Sequence, residues 1–338
     1  MARNRTNPAS LRALAGGALA LLVGAAAAGA QEAPSPEAIV DAMEKVSGTH
    51  AGKRRSGAKG VCAKGEFVSN GAGARLTTAS ILQPGARAPV AARFSNGGGN
   101  PRAPDNAPTV RGLSLAFELP GGDSFEMVMI NAPAFGASTL DSFMKLLASR
   151  APDPTTGQPD PQRIAAADKE NPEWAVQPNY LRGNSPPSSY ATAPYFSVNS
   201  FVFENASGEK QHVRWTFEPA AGRVVLTPEE RQARGADFLQ DELRGRVANA
   251  PAEWRMVVVL PREGDPLLSA TAIWPEDREK VEVGALRITS VAPAGEPGEC
   301  DPVMFNPTLL PEGIEPSQDP MLLIRAPAYA VSLSRRLQ

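Results

Sequence analysis

Histidine and cysteine are nearly missing from this chain, which has two of each in 338 residues. Cys62 and Cys300 fit no metal-ligand spacing, so a cysteine-built metal site is excluded. In an oxidising compartment they could close a disulfide. The sequence leaves that open against two buried free thiols. His50 reads as structural and His212, at the start of an expected strand, as a surface residue, so neither is an obvious general base. A charge excess is also lacking: the formal net charge is −2, with no basic patch of the kind that tracks nucleic acid. Beyond the first thirty residues there is no long apolar run, and so no implied membrane span. No internal repeat or domain linker is visible.

The N-terminus reads as an address. Arg3, Arg5 and Arg12 precede the apolar stretch Ala13 to Ala28, and Ala28, Gly29 and Ala30 offer a small-residue cleavage site. The stretch is short for a span and dotted with glycine, so residues 1–30 are expected to be a cleaved signal peptide that leaves no anchor. With no Arg-Arg pair to support a twin-arginine route, the chain would cross the membrane unfolded. The expected location is periplasmic or secreted. Losing three basic and no acidic residues would leave residues 31–338 with a charge of −5, on a length sufficient for one large core.

Ser35 as N-cap, Pro36 at the first helical position and Gly48 as a stop frame one helix with an apolar face at Ile39, Val40, Met43 and Val46. Short alternating runs at 60–68, 88–95, 110–118 and 125–129 indicate an antiparallel sheet or barrel, with further strands at 197–204, 213–218, 254–260 and 281–289. Leu140 to Leu147 reads as a short helix. Residues 151–194 read as a long ordered loop with one short helix near 161–168. Thr227 to Glu230 is a capping box, expected to start a helix burying Phe238, Leu239 and Leu243. The last helix is expected to begin near Asp319, with a kink at Pro327.

The most informative pair lies in that last helix. Arg325 and Tyr329 are four residues apart and share a face. A guanidinium beside a phenol favours the ionised form of the phenol, a hard anionic ligand. Alone, the pair is better read as an amphipathic helix with a half-buried tyrosine. The preceding block Phe305–Pro320, FNPTLLPEGIEPSQDP, leads into it in a way that resembles the proximal segment of haem catalases. It is most similar to their minimal relatives, the bacterial catalase-related peroxidases, and the resemblance covers roughly residues 48–338 in several blocks.

That resemblance implies an α+β fold, a catalase-like antiparallel β-barrel core with surrounding helices, forming a single haem domain over residues 31–338. It implies haem b with Tyr329 as the axial iron ligand and Arg325 as its charge partner. Arg54, Arg93 and Arg336 fall where the family places its propionate-binding arginines. Phe135 and Phe143 match aromatic residues of the haem slot. Asn131 matches one of two adjacent asparagines, of which one hydrogen-bonds peroxide, and which of the two stays open by one residue.

The resemblance fails at the distal base. The family carries a His-Ala-Lys-Gly motif before its first barrel strand, and this chain reads Gly57, Ala58, Lys59, Gly60. Gly57 replaces the catalytic histidine, and Ser95, which supports that histidine in the family, loses its partner. His50 matches a family histidine seven residues upstream and is a weak substitute. A positioned general base is worth roughly 10²–10⁴ in rate.

The expected function is therefore a periplasmic haem peroxidase that reduces hydrogen peroxide or organic hydroperoxides with a small-molecule electron donor, with weakened or no catalase activity. The alternative is a haem carrier, store or sensor on a catalase fold. Rearrangement of fatty-acid hydroperoxides gains little, because relatives with that activity keep the histidine. The chain lacks the family's N-terminal arm, so a monomer or dimer is expected, and no nicotinamide site is visible.

Overall fold

Alternation of apolar and polar side chains builds the sheet, because successive strand residues point to opposite faces. The computed structural model describes residues 33–338; the expected signal peptide, residues 1–30, lies outside the described residues. Ten strands form among the described residues: β1 (Gly60–Ser69), β2 (Arg87–Asn96), β3 (Arg111–Glu118), β4 (Ser124–Ile130), β5 (Tyr195–Phe196), β6 (Phe201–Glu204), β7 (Lys210–Pro219), β8 (Ala252–Val259), β9 (Lys280–Val291) and β10 (Ile314–Pro316). Their order is β10-β6-β7-β5-β4-β3-β2-β1-β9-β8, and β8 pairs back onto β7. Eight strands thus close an antiparallel barrel, with β6 and β10 extending outward from β7. Closure removes the free edges that an open sheet would expose.

The barrel interior is filled by one set of alternate residues. Phe67, Phe94, Leu113, Leu115, Phe117, Phe125, Trp215 and Trp254 are all essentially inaccessible and belong to one core cluster. The other set faces outward, and on β2, β3 and β4 it faces a cavity.

Among the described residues eight α-helices surround the barrel: α1 (Pro36–Ser47), α2 (Leu140–Arg150), α3 (Pro161–Glu170), α4 (Val176–Asn184), α5 (Pro228–Ala233), α6 (Leu239–Asn249), α7 (Pro320–Leu323) and α8 (Arg325–Leu337). The frame expected for α1 is present: Ser35 Oγ accepts from the Ala38 amide at 3.2 Å, and Gly48 closes the helix at φ 75°. Ser35→Ala is expected to lower stability by about 1 kcal/mol, the ordinary worth of an N-cap, read as a lower thermal midpoint.

Three expectations need correction. Residues 151–194 are mostly helical, holding α3 and α4, because Pro161 and Asp160 cap α3 and the apolar Trp174 and Leu181 bury the segment beyond it. The Thr227 capping box is formed, but α5 ends at Ala233 and a separate α6 buries Leu239 and Leu243; α5 itself has no buried residue to carry it further. The C-terminal helix breaks at Ile324 into α7 and α8. Pro327 sits in the first turn of α8, where its missing N–H removes no bond internal to α8.

Candidate functional site

The outer face of β2–β3–β4 forms one wall of a cavity of about 400 Å³. Because β2 turns Phe94 inward, it turns Arg93 and Ser95 outward. The register aligns Arg93 with Ser114 and Val128, and Ser95 with Gly112 and Ile130, in two cross-strand rows. Other walls come from Phe135 and Phe143, from Ile39 and Val40 of α1, and from α8. Such a lining excludes water from most of the space and suits a large apolar group.

Helix α8 presents Arg325, Tyr329, Ser332, Leu333 and Arg336 to this cavity, positions that recur on one helical face. Arg325 Nε donates to the Tyr329 hydroxyl at 3.1 Å. Arg325 Nη1 donates to Asn199 Oδ1 at 3.0 Å, and Asn199 Nδ2 donates to Asp319 Oδ2 at 2.7 Å. Asp319 is fully buried and also caps α7 through the Met321 amide at 2.9 Å. Burial raises its pKa, against the lowering effect of Asn199 and the nearby arginines. This chain of three bonds fixes the guanidinium, and through it the phenol. A second set of contacts fastens the helix: Arg335 reaches Asp41 at 2.7 Å and Glu44 at 2.8 Å, and Arg55 reaches Glu44 at 2.5 Å.

The same cavity has a cationic end. Arg54, Arg93 and Arg336 all line it. Burial, then repulsion from Arg93 and Arg336, pulls Arg54 down to about 9. Burial brings Arg93 to about 10 and also lowers Arg336, with Asp301 acting the other way on all three. Among the described residues none of the three has a carboxylate within ion-pair distance. Buried cations without anions are costly, and two carboxylates entering here would relieve that cost. A phenol held by a guanidinium, three arginines without a carboxylate partner among the described residues and apolar walls in one cavity are a donor set that fits haem. Tyr329 would meet the iron, and the arginines the propionates.

Not every expected residue joins the cavity. Phe135 and Phe143 do, with ring centroids 5.4 Å apart. Gly57 does, and a Cβ built on it would lie 3.1 Å from Ser95 Oγ, so a side chain there would point at that hydroxyl. Asn131 does not line the cavity. Its Oδ1 accepts from the Arg111 amide at 2.7 Å, and its buried Nδ2 finds no partner among the described residues. Ile130, one residue earlier on the outward row of β4, lines the cavity instead. His50 also lies outside the lining, with Nε2 3.1 Å from the Ser47 carbonyl. His212 is bonded to Ser200 at 3.3 Å, away from the cavity. The arrangement thus departs from the expectations for Asn131 and His50, because strand alternation turns Asn131 away and a local turn ties down His50.

Sequence reasoning missed Asn199, Asp319 as a relay member, and Ile130. Only Asp319 left a signal, as the cap before Pro320. Among the described residues the two non-glycine residues with positive φ, Val198 at 54° and Phe305 at 58°, both line the cavity. A β-branched residue in that region is strained, and strain of this kind gathers at functional sites.

Fold and site together define a barrel-based cofactor-binding protein with a helix-borne phenol. Over residues 36–338 the chain matches the catalase family model, and it belongs to the catalase family. It is 40% identical to the catalase-related peroxidase of Synechococcus elongatus over 303 residues, covering 89% of this chain and 88% of that protein. The catalase-related peroxidase of Mycolicibacterium paratuberculosis is 32% identical over 303 residues, covering 89% of this chain and 95% of that protein. A solved bacterial catalase superposes with a TM-score of 0.76 at 25% identity, over 85% of this chain and 58% of that one.

Proposed function

We propose that this chain is a haem b peroxidase that reduces hydroperoxides with an external small-molecule donor. The observation that carries the reading is the meeting, in one cavity, of the Arg325–Tyr329 pair with Arg54, Arg93 and Arg336. Bound haem would supply cleavage of the O–O bond, with two electrons and two protons from the donor giving water and an alcohol, or two waters. The protein's share is positional. Tyr329 offers the phenol oxygen, Arg325 holds it in place, and the cationic end binds carboxylates by charge-assisted hydrogen bonds. Phe135, Phe143, Ile39 and Val40 keep the slot dry.

Proton movement is where this chain differs. Gly57 and Ile130 carry no side-chain acceptor, and a Cβ at position 57 would lie 3.1 Å from Ser95 Oγ. A slow first step, and weak catalase activity, result from the lost general base. The same two residues favour a second reading, a haem-binding protein without turnover. To separate them, the protein is reconstituted with haemin and supplied with a dye donor and either hydrogen peroxide or cumene hydroperoxide. Sustained donor oxidation beyond free haemin supports the peroxidase. Stoichiometric haem with no turnover on either peroxide would leave the binding protein.

Export is part of the proposal. The features of residues 1–30 support a cleaved signal, and the Cys62–Cys300 disulfide suits an oxidising compartment. Recovery of the processed chain in the periplasmic fraction is the expected result.

A further inference from the structure

Between β9 and β10 the chain runs across the outside of the barrel in short turns of its own. The Asp301 amide donates to the Gly298 carbonyl at 3.0 Å, the Val303 amide to the Cys300 carbonyl at 3.2 Å and the Gly298 amide to Asp301 Oδ2 at 2.8 Å. Residues 293–302 have no regular structure and are exposed or half-exposed, except for Cys300, which is buried. The Lys64–Glu299 ion pair also touches this segment, but exposed pairs of this kind hold little. Cys300 is bonded to Cys62 of β1, with Cα atoms 5.4 Å apart. Cys62 is the cross-strand neighbour of Arg93, so the disulfide lies on the row of side chains that faces the cavity. The segment presses so closely on it that a Cβ at Gly298 would lie 2.6 Å from Cys62 Sγ.

The backbone from Cys300 to Val303 forms a seat for Arg54. Nη2 of that arginine donates to the carbonyls of Cys300, Asp301 and Val303 at 3.1, 3.1 and 2.7 Å. Its guanidinium carbon stands 5.5 Å from the centroid of the Phe305 ring. Phe305 shares a buried cluster with the two cysteines and lines the cavity. Three main-chain carbonyls can aim at one nitrogen only if the backbone carrying them is fixed; the turn bonds shape that backbone locally, and the covalent tie to Cys62 is what anchors it to the barrel.

We propose that the Cys62–Cys300 disulfide is a positioning device for the cavity: it pins segment 293–303 so that its carbonyls hold Arg54 at the carboxylate-binding end. The proposal rests on the haem reading above. Its reach is specific, since Arg54 lies 246 residues from Cys300 in sequence and meets it through this seat. Removing the disulfide loosens one of the three arginines that grip the propionates, while the barrel, closed by its own strand ladders, persists.

The test is haem transfer to excess apomyoglobin, read at the Soret band. Cys62→Ser/Cys300→Ser is expected to release haem at least about tenfold faster, the scale of losing a well-placed charge-assisted hydrogen bond. Arg54→Ala should do the same. The triple variant should lose haem no more than about twofold faster than Arg54→Ala, because both changes remove one interaction. A parental rate in the cysteine variant, or effects that multiply in the triple variant, would overturn the proposal. So would an unchanged rate in Arg54→Ala, which keeps the disulfide and can be read even if the cysteine variant folds poorly. In that case the parental protein under mild reduction replaces the cysteine variant, and a rate unchanged on reduction would overturn the proposal. Amide hydrogen exchange on the apoprotein is independent of haem. Faster exchange should appear at residues 53–55 together with 300–305, with β3 unchanged. Loosening of 300–305 alone would refute the link to Arg54. Failure of the parental protein to take up haem would instead overturn the haem reading.

Discussion

Tyr329→Phe is expected to abolish the tyrosinate absorption band and to weaken haem retention more than about a hundredfold. The substitution removes one oxygen and leaves the helix face intact, so the loss falls on the iron ligand rather than on packing. It also leaves Arg325 Nε, now 3.1 Å from that oxygen, facing an apolar ring. A graded series makes the result diagnostic. Asn199→Ala leaves the phenol in place but removes the acceptor that holds Arg325 Nη1, and partners of this indirect kind typically cost about 10–100-fold in metal affinity or activity. The tyrosinate band should persist in Asn199→Ala with reduced retention, and vanish in Tyr329→Phe. An unaltered spectrum in Tyr329→Phe would remove Tyr329 from the site.

The opposite change is expected across the cavity. Gly57→His should raise the rate of reaction with hydrogen peroxide at least about tenfold, a modest share of what general acid–base catalysis supplies. The backbone there has φ +66°, a region in which histidine is among the better tolerated side chains, at a cost of about 1 kcal/mol. The new Cβ would face Ser95 Oγ at 3.1 Å and Arg93 Nη1 at 3.4 Å, so the hydroxyl can orient the ring. Ile130 limits the gain, since an aliphatic side chain occupies the outward row where a hydrogen-bonding amide would help hold peroxide. Gly57→His/Ile130→Asn should therefore react faster than Gly57→His alone. Stopped-flow absorbance on the haem-loaded proteins decides it. No acceleration in either variant, with haem still bound, would show that Gly57 is not the distal position.

Much of the site was legible because it is written in short spacings. Arg325 and Tyr329 meet through one helical turn, and the caps at Ser35 and Thr227 formed as the local pattern requires. Arg54, Arg93 and Arg336 were found by family resemblance, and the cavity does gather them. Asn131 shows the limit of such reading. A shift of one residue on a strand exchanges the two faces, so Ile130 and not Asn131 meets the cavity. His50 shows another: its sequence neighbourhood suggested proximity, and a bond to the Ser47 carbonyl ties the ring down outside the lining.

Local physics set what depends on neighbours a few residues apart: the barrel strands through alternation, the helix frames through their caps, and the phenol–guanidinium pair through i, i+4 spacing. Tertiary structure decided what depends on distant segments arriving together. The Asn199 and Asp319 relay, the three carbonyls seating Arg54, and the choice between a disulfide and two thiols each join residues about 120 to 250 positions apart. No periodicity encodes such meetings. They exist because barrel closure and the docking of α8 bring those backbones to one place, where burial makes each unpaired polar group costly and each satisfied one selective.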